Sequence, residues 1–239
     1  MANDADVPQM IFIAGLHRSG TSMLEHFLHS HLDVSVLRGP VAENEGQFFQ
    51  DVYPLGRDYG GPGRFAFAPE MHLDAPPEEL ARAYRSRLLE CWQPHIVGSA
   101  EVLMEKSPPN ITKISWLRKV FPGSRFLVVV RDPRAVALAT QKWSGTTLEE
   151  LMLHWHAAQS SAHAALSDDC TVVRYEDFCE NPLGLTHQLS AKWHIPLRSQ
   201  PLDLADRFAI VSNANAAYLR AFPNLYFGPG AWQKFGYEL

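Results

Sequence analysis

Residues 125–130 read RFLVVV, one charged residue followed by an unbroken apolar run. A strand that is apolar at every position must bury both faces, which suits the middle of a parallel sheet covered on each side. Residues 11–15 (IFIAG) and 170–175 (CTVVRY) have the same character, and residues 34–37 and 102–106 (VLMEK) read as shorter strand pieces. Between these runs the apolar spacing widens to the helical period of ~3.6 residues. A helix follows over 21–31. PPEELARAYRSRLLECW predicts another, capped by Asp74 and turning Leu80, Tyr84, Leu88, Cys91 and Trp92 inward. SPPNITKISWLRKVFP predicts one helix after a proline-marked start, with Trp116 on its buried face, and DPRAVALATQKW and PLGLTHQLSAKWH predict two more. TLEELMLHWHAAQSSAHAAL predicts a long helix with Leu148, Leu151, Met152, Trp155, Ala158 and Ala165 on its inner face. Residues 54–69 are rich in glycine and proline and read as loop. Alternating strands and helices predict an α/β fold, a three-layer sandwich around a central, mostly parallel sheet, with residues 1–239 as one domain.

Composition changes this picture little. The chain has 239 residues, 46% apolar and 20% charged, an ordinary balance for a globular core. A net charge of −5 argues against a nucleic-acid partner or an anionic membrane surface, so any anion site must be local. The opening MANDADVPQM lacks the basic and apolar regions of a leader, and FLVVV is too short to span a bilayer. Cys91, Cys170 and Cys179 form no CxxC pair and are odd in number, which predicts free thiols in a reducing, cytoplasmic setting. Nothing in the sequence sets an oligomeric state.

Two strand ends carry candidate chemistry. The first strand runs into GLHRSGTS, where Gly15 and Gly20 are spaced as in the nucleotide-triphosphate loop G-x-x-x-x-G-K-S/T. Thr21 stands where that pattern needs lysine, and the cation, Arg18, lies inside the loop. A strand, a tight glycine loop and a helix start present free backbone N–H groups and a favourable helix dipole to an anion. Arg18, Ser19, Thr21 and Ser22 add one cation and three hydroxyls. A plain strand-to-helix turn would have no reason to hold a cation between two glycines. The strand RFLVVV ends directly in Arg131, placing a guanidinium at the carboxyl edge where open α/β sheets bind ligands. A triphosphatase usually offers a carboxylate to magnesium at such an edge; Asp132, the next residue, keeps that alternative open. Two cations at two strand ends suit a nucleotide with phosphates at both ends of its ribose.

These stretches resemble the sulfotransferase family, whose sulfuryl donor is 3′-phosphoadenosine 5′-phosphosulfate (PAPS). GLHRSGTS is similar to the family's 5′-phosphosulfate loop, with a K/R-S-G-T-S/T core, and RFLVVVRDPRAVALAT resembles its 3′-phosphate segment. EKSPPNI resembles a K-S/T-P segment of glycan sulfotransferases, VVRYEDFCENP the family's Y-E-D turn, and GAWQKFG, more weakly, a C-terminal G-x-W-K segment. The resemblance implies PAPS as co-substrate, held by His17, Arg18, Ser19, Gly20, Thr21, Ser22 and Arg131, with no metal. One departure stands out. The family places a serine eight residues after the 3′-site arginine; here that position is Ala139, followed by Thr140. One helix position is a rotation of about 100°, so Thr140 is not a simple replacement, and Lys234 is a further candidate to complete the site.

VAENEGQFFQDVYP offers Glu43 and Glu45, and its E-x-x-F-F spacing resembles the segment carrying the base in heparan-type enzymes, which implies Glu45 as general base. His17 is the alternative base, and an acidic surface loop the bland account of Glu45. By resemblance Lys106 neutralises charge near the bridging oxygen, alongside Arg18; its bland account is a solvated lysine. Among the eleven histidines, His154, His156 and His163 share one helix. His156 and His163 lie about 10 Å apart along it and His154 points to another face than His156, so no shared metal is expected. Trp143 and Trp155 read as core or wall. The expected function is transfer of a sulfuryl group from PAPS to a hydroxyl or amine on a small molecule, glycan, lipid or peptide. A P-loop nucleotide or small-molecule kinase, which would require magnesium, and a nucleotide-binding module without catalysis are the alternatives. The module would place Glu45 and Lys106 far from the loop. YGGPGRFAF is a candidate pocket wall or lid.

Overall fold

A computed structural model describes residues 7–239; the first six residues, part of the MANDADVPQM stretch, lie outside the described residues. In chain order the elements are β1 (Gln9–Gly15), α1 (Thr21–His31), β2 (Ser35–Leu37), α2 (Glu78–Trp92), β3 (Ile96–Val97), β4 (Val102–Lys106), α3 (Ile114–Val120), β5 (Arg125–Val130), α4 (Pro133–Ser144), α5 (Leu148–Ala165), β6 (Cys170–Arg174), α6 (Tyr175–Glu180), α7 (Pro182–Trp193), α8 (Asn215–Ala221) and α9 (Ala231–Lys234). The six strands lie in the order β3-β2-β4-β1-β5-β6, all parallel except the two-residue β3, which runs antiparallel to β2. The three-layer α/β sandwich read from the sequence is the fold observed.

The apolar runs are explained by two cores on one sheet. Successive side chains of a strand point to opposite faces. Met10, Phe12 and Ala14 therefore meet Phe126, Val128 and Val130 under Trp92 and Trp155, while Ile11 and Ile13 meet Leu127 and Val129 under Leu24, Leu28 and Leu189. Each large side chain so buried contributes roughly 1.5–3 kcal/mol, which fixes the strand register tightly. Parallel register then places the carboxyl ends of β1, β4, β5 and β6 at one edge: Ile13 pairs with Lys106, Gly15 with Val129, and Val130 with Arg174. That edge carries the loop after β1 and Arg131, the two centres of the candidate site.

Several local expectations are corrected. Asp74 caps nothing. The helix begins after Pro77 at Glu78, and its phase buries Ala81, Leu88 and Trp92, leaving Leu80 47% exposed. The SPPNIT segment is a tight 3₁₀ turn, Pro108–Thr112, separated from α3 by Lys113, whose φ of −125° breaks the helix. On α5 Leu151, Met152, Trp155 and Ala158 are buried as expected; Leu148 and Ala165 are half-buried, and His154, Gln159 and Ala162 join the inner face. Phe65, in the glycine-rich stretch, is fully buried in the core. Among the described residues no helix is long and apolar enough to cross a membrane, and the three cysteines are unpaired.

Candidate functional site

The loop after β1 is built to turn its backbone inward. Arg18 and Gly20 adopt φ of 69° and 97°, left-handed values on either side of Ser19. Such alternation points successive N–H groups into one concavity, an anion nest. A side chain at Gly15 would come within 2.9 Å of the Val129 carbonyl oxygen, and one at Gly20 within 2.7 Å of the Tyr175 ring. Both glycines are therefore demanded by close approach. The buried Ser19 hydroxyl donates to the Leu16 carbonyl at 2.6 Å and locks the turn. No side chain caps the start of α1, whose first-turn N–H groups are left for a ligand. Among the described residues no acid pairs with the exposed Arg18 guanidinium.

Opposite the loop, Arg131 is buried and almost fully engaged. Its Nη1 donates to the Arg18 carbonyl at 2.7 Å and its Nε to Asn215 Oδ1 at 2.8 Å. Its Cζ lies 4.2 Å from the Tyr175 ring centroid and 5.5 Å from that of Tyr218. Nη2 is buried with no partner. A buried cationic donor without an acceptor is costly, and an anionic ligand is the natural partner. Asp132 is already committed. It caps α4 through the Arg134 N–H at 2.9 Å and holds the Arg134 guanidinium at 2.7 Å.

Facing the loop from the other side is the segment of Glu45. Its carboxylate accepts from Gln47 Nε2 and lies 3.4 Å from Lys106 Nζ, which also donates to the Glu43 carbonyl at 2.9 Å. Burial pushes the Glu45 carboxyl up, against the lowering pull of Lys106 and Gln47. Glu105, at the end of β4, clamps the same segment: its Oε1 accepts from the Gly46 N–H at 3.0 Å and its Oε2 from Asn110 Nδ2 at 2.6 Å. Burial pushes Glu105 up to about 7. Glu43 is held down: burial opposes it, but the Arg207 bond and charge and a Ser22 bond prevail. His17 is pushed down to about 3 by burial and then by its neighbours His154 and Lys106, and its Nδ1 is buried without a partner.

These groups surround one cavity of about 590 Å³, lined among others by His17, Arg18, Gly20, Thr21, Ser22, Glu45 and Arg131. The cavity thus unites both strand-end cations with the acidic segment. Four residues singled out in the sequence do not line it. Ser19 is spent on Leu16, and the Lys106 ammonium, expected beside the leaving oxygen, sits behind Glu45. Thr140 lines a separate void of about 10 Å³ with Leu16 and His154. Lys234 is exposed on α9, which packs against α5. YGGPGRFAF contributes no wall; its Phe65 packs edge-on to His17 and His154 from below. Trp155 is core, while Trp143, 53% exposed, is wall. Among the described residues no group of three or more His, Cys, Asp or Glu is placed to hold a metal ion.

Sequence reasoning missed Tyr175, Arg207, Phe208, Ala214 and Tyr218, all on the cavity wall. Tyr175 could have been found: it follows β6 at the same sheet edge where Arg131 follows β5. The others come from 206–218, a largely exposed stretch without periodicity.

A mostly parallel sheet, an anion nest at its carboxyl edge and a buried arginine after the neighbouring strand give an α/β fold whose carboxyl edge is built for an anion. The sequence pattern described as "Sulfotransferase family" matches residues 8–199, and the chain belongs to that family. Protein-tyrosine sulfotransferase 1 of Danio rerio is 26% identical over 190 residues, 74% of this chain and 50% of that protein. The chain spans half or less of the length of the protein-tyrosine sulfotransferases it matches. Among solved structures, a sulfotransferase from Alicyclobacillus acidocaldarius aligns with a TM-score of 0.52 at 16% identity, covering 92% of this chain and 96% of its own. The sulfotransferase domain of the Synechococcus PCC 7002 olefin synthase aligns with a TM-score of 0.53 at 16% identity over 100% and 98%. These likenesses extend to the fold.

Proposed function

We propose that this chain, as a single domain, transfers a sulfuryl group from PAPS to an acceptor hydroxyl or amine by in-line displacement. The observation that carries the proposal is the shared cavity: Glu45 lies in the same space as Arg18 and Arg131. A module that only bound nucleotide would have no use for a buried carboxylate facing its anion loop. PAPS fits the residues present. The loop N–H groups, Thr21 and Arg18 suit its 5′-phosphosulfate, and the unpartnered Nη2 of Arg131 suits its 3′-phosphate. A kinase is disfavoured by the missing loop lysine and by Asp132, whose carboxylate is held by Arg134 rather than free for magnesium.

In the proposed reaction the acceptor oxygen attacks sulfur as the bond from sulfur to the bridging phosphate oxygen breaks. Glu45 takes the acceptor's proton, and adenosine 3′,5′-bisphosphate leaves with the bond electrons. Arg18 and the loop N–H groups stabilise the charge growing on the departing phosphate. Lys106 holds Glu45 in place, and its charge favours the ionised carboxylate against the opposing effect of burial. His17, pushed down to about 3, is a weak base beside a carboxylate raised by burial. The matched relatives are named for protein tyrosine, so a peptide phenol is the first acceptor to try, with small-molecule, glycan and lipid hydroxyls beside it. The three unpaired cysteines suit a cytoplasmic setting. The test is transfer of labelled sulfate from PAPS to an acceptor library in chelator. Labelled product that disappears in Glu45→Gln supports the proposal; transfer of labelled phosphate from ATP, requiring magnesium, would replace it with the kinase.

A further inference from the structure

Ala139 leaves the 3′-phosphate side without the expected serine hydroxyl, so Arg131 must reach the ligand with little help from α4, the helix that follows it. Its surroundings show how it is aimed. Two of its three guanidinium nitrogens are occupied, Nε by Asn215 Oδ1 and Nη1 by the Arg18 carbonyl, and Nη2 alone is free and buried. The aim therefore depends on which end of the Asn215 amide faces Arg131. Asn215 Nδ2 donates to Glu176 Oε1 at 2.6 Å. A carboxylate only accepts, so this bond forces the amide oxygen towards Arg131. A flipped amide would set two donors against each other at Arg131 and two acceptors against each other at Glu176. The same Oε1 accepts the backbone N–H of Asp132 at 3.0 Å, pinning the chain immediately after Arg131. Glu176 Oε2 is held in turn by the Tyr237 hydroxyl at 2.7 Å.

We propose that Glu176 is a positioning residue which, through Asn215 and the Asp132 N–H, aims Arg131 Nη2 at the 3′-phosphate of the bound nucleotide. This inference rests on the nucleotide assignment made above. Glu176 sits one residue beyond Tyr175 on α6, and Tyr237 belongs to the C-terminal segment. Three segments far apart in sequence thus form one hydrogen-bonded relay that reaches the Arg131 guanidinium at Nε through Asn215.

Calorimetry with adenosine 3′,5′-bisphosphate and adenosine 5′-monophosphate tests it, because only the former carries the 3′-phosphate. Glu176→Ala and Asn215→Ala should each weaken the bisphosphate about tenfold, one net hydrogen bond's worth, and change the monophosphate little. Glu176→Gln should restore most of the affinity, since its amide oxygen can accept both N–H groups while its NH₂ faces the Tyr237 oxygen. In an Arg131→Ala background Asn215→Ala should have no further effect on the bisphosphate. Asn215 lies on the otherwise exposed α8, so its variant reports even where Glu176→Ala does not fold. Equal weakening of both nucleotides, or tighter bisphosphate binding in Glu176→Ala, would overturn the positioning role while leaving the nucleotide assignment intact. A wild-type protein that binds neither nucleotide would overturn both.

Discussion

At the scale of single residues, burial decides which acids can work. Glu45 and Glu105 are neighbours in space with different company. Glu45 faces Lys106 and the cavity, while Glu105 is enclosed by Gly46, Ser107 and Asn110. Glu45→Gln keeps size and most hydrogen bonding but removes basicity, so turnover should fall roughly 10²–10⁴-fold with bisphosphate affinity nearly unchanged. Steady-state rates beside calorimetry check this, and undiminished turnover would remove Glu45 as the base. Glu105 makes a prediction about stability. Its carboxyl, pushed up to about 7 by burial against the pull of Ser107 and Asn110, keeps its proton in the folded protein after the unfolded chain has released it near the ordinary value of 4.5. Between these values the folded state binds more protons, so this group's contribution to stability is complete below about 4.5 and is lost as pH rises through 7. Relative to wild type, Glu105→Gln should therefore gain melting temperature as pH is raised across that window. A constant difference would mean that Glu105 titrates as an exposed acid.

At the scale of elements, legibility followed burial on both sides of the chain. β1 and β5 were plain in the sequence because each is apolar after its first residue, and α1, α4 and α7 because a glycine or proline marks their starts. The two-strand placement of Arg18 and Arg131 followed from those elements. α8 was illegible: Asn215 is its only fully buried residue, so no apolar stripe announces it, and its part in the site depends on long-range contacts with Arg131 and Glu176. Thr140 and Lys234 were misplaced for a related reason, since a helix can be read without its rotation against the sheet. α5 supports the site from behind, its Trp155 indole N–H donating to the Arg131 carbonyl at 3.1 Å. It starts in a full capping box, with Thr147 bonded to the Glu150 N–H and Glu150 to the Thr147 N–H. Thr147→Ala should cost about 1 kcal/mol of stability by denaturant titration. Nucleotide affinity should be unaffected, and a loss of binding instead would show that α5 is coupled to the site.

At the scale of the whole molecule, a chain of net charge −5 gathers two cations and an anion nest at one sheet edge, and nothing about its overall charge foretells the ligand. The fold alone, shared with distant sulfotransferases, permits several phosphate chemistries. What narrows them is the pairing of the Arg18 loop with the buried, unsatisfied Nη2 of Arg131, combined with an Asp132 already held by Arg134. The most direct measurement is calorimetric titration with adenosine 3′,5′-bisphosphate and with ATP, in chelator and again with magnesium. The bisphosphate should bind in chelator, without any gain from magnesium, and Arg131→Ala should weaken it by about 1.5–3 kcal/mol, the range for a hydrogen bond to a charged group. ATP that binds as tightly, and only with magnesium, would contradict the account.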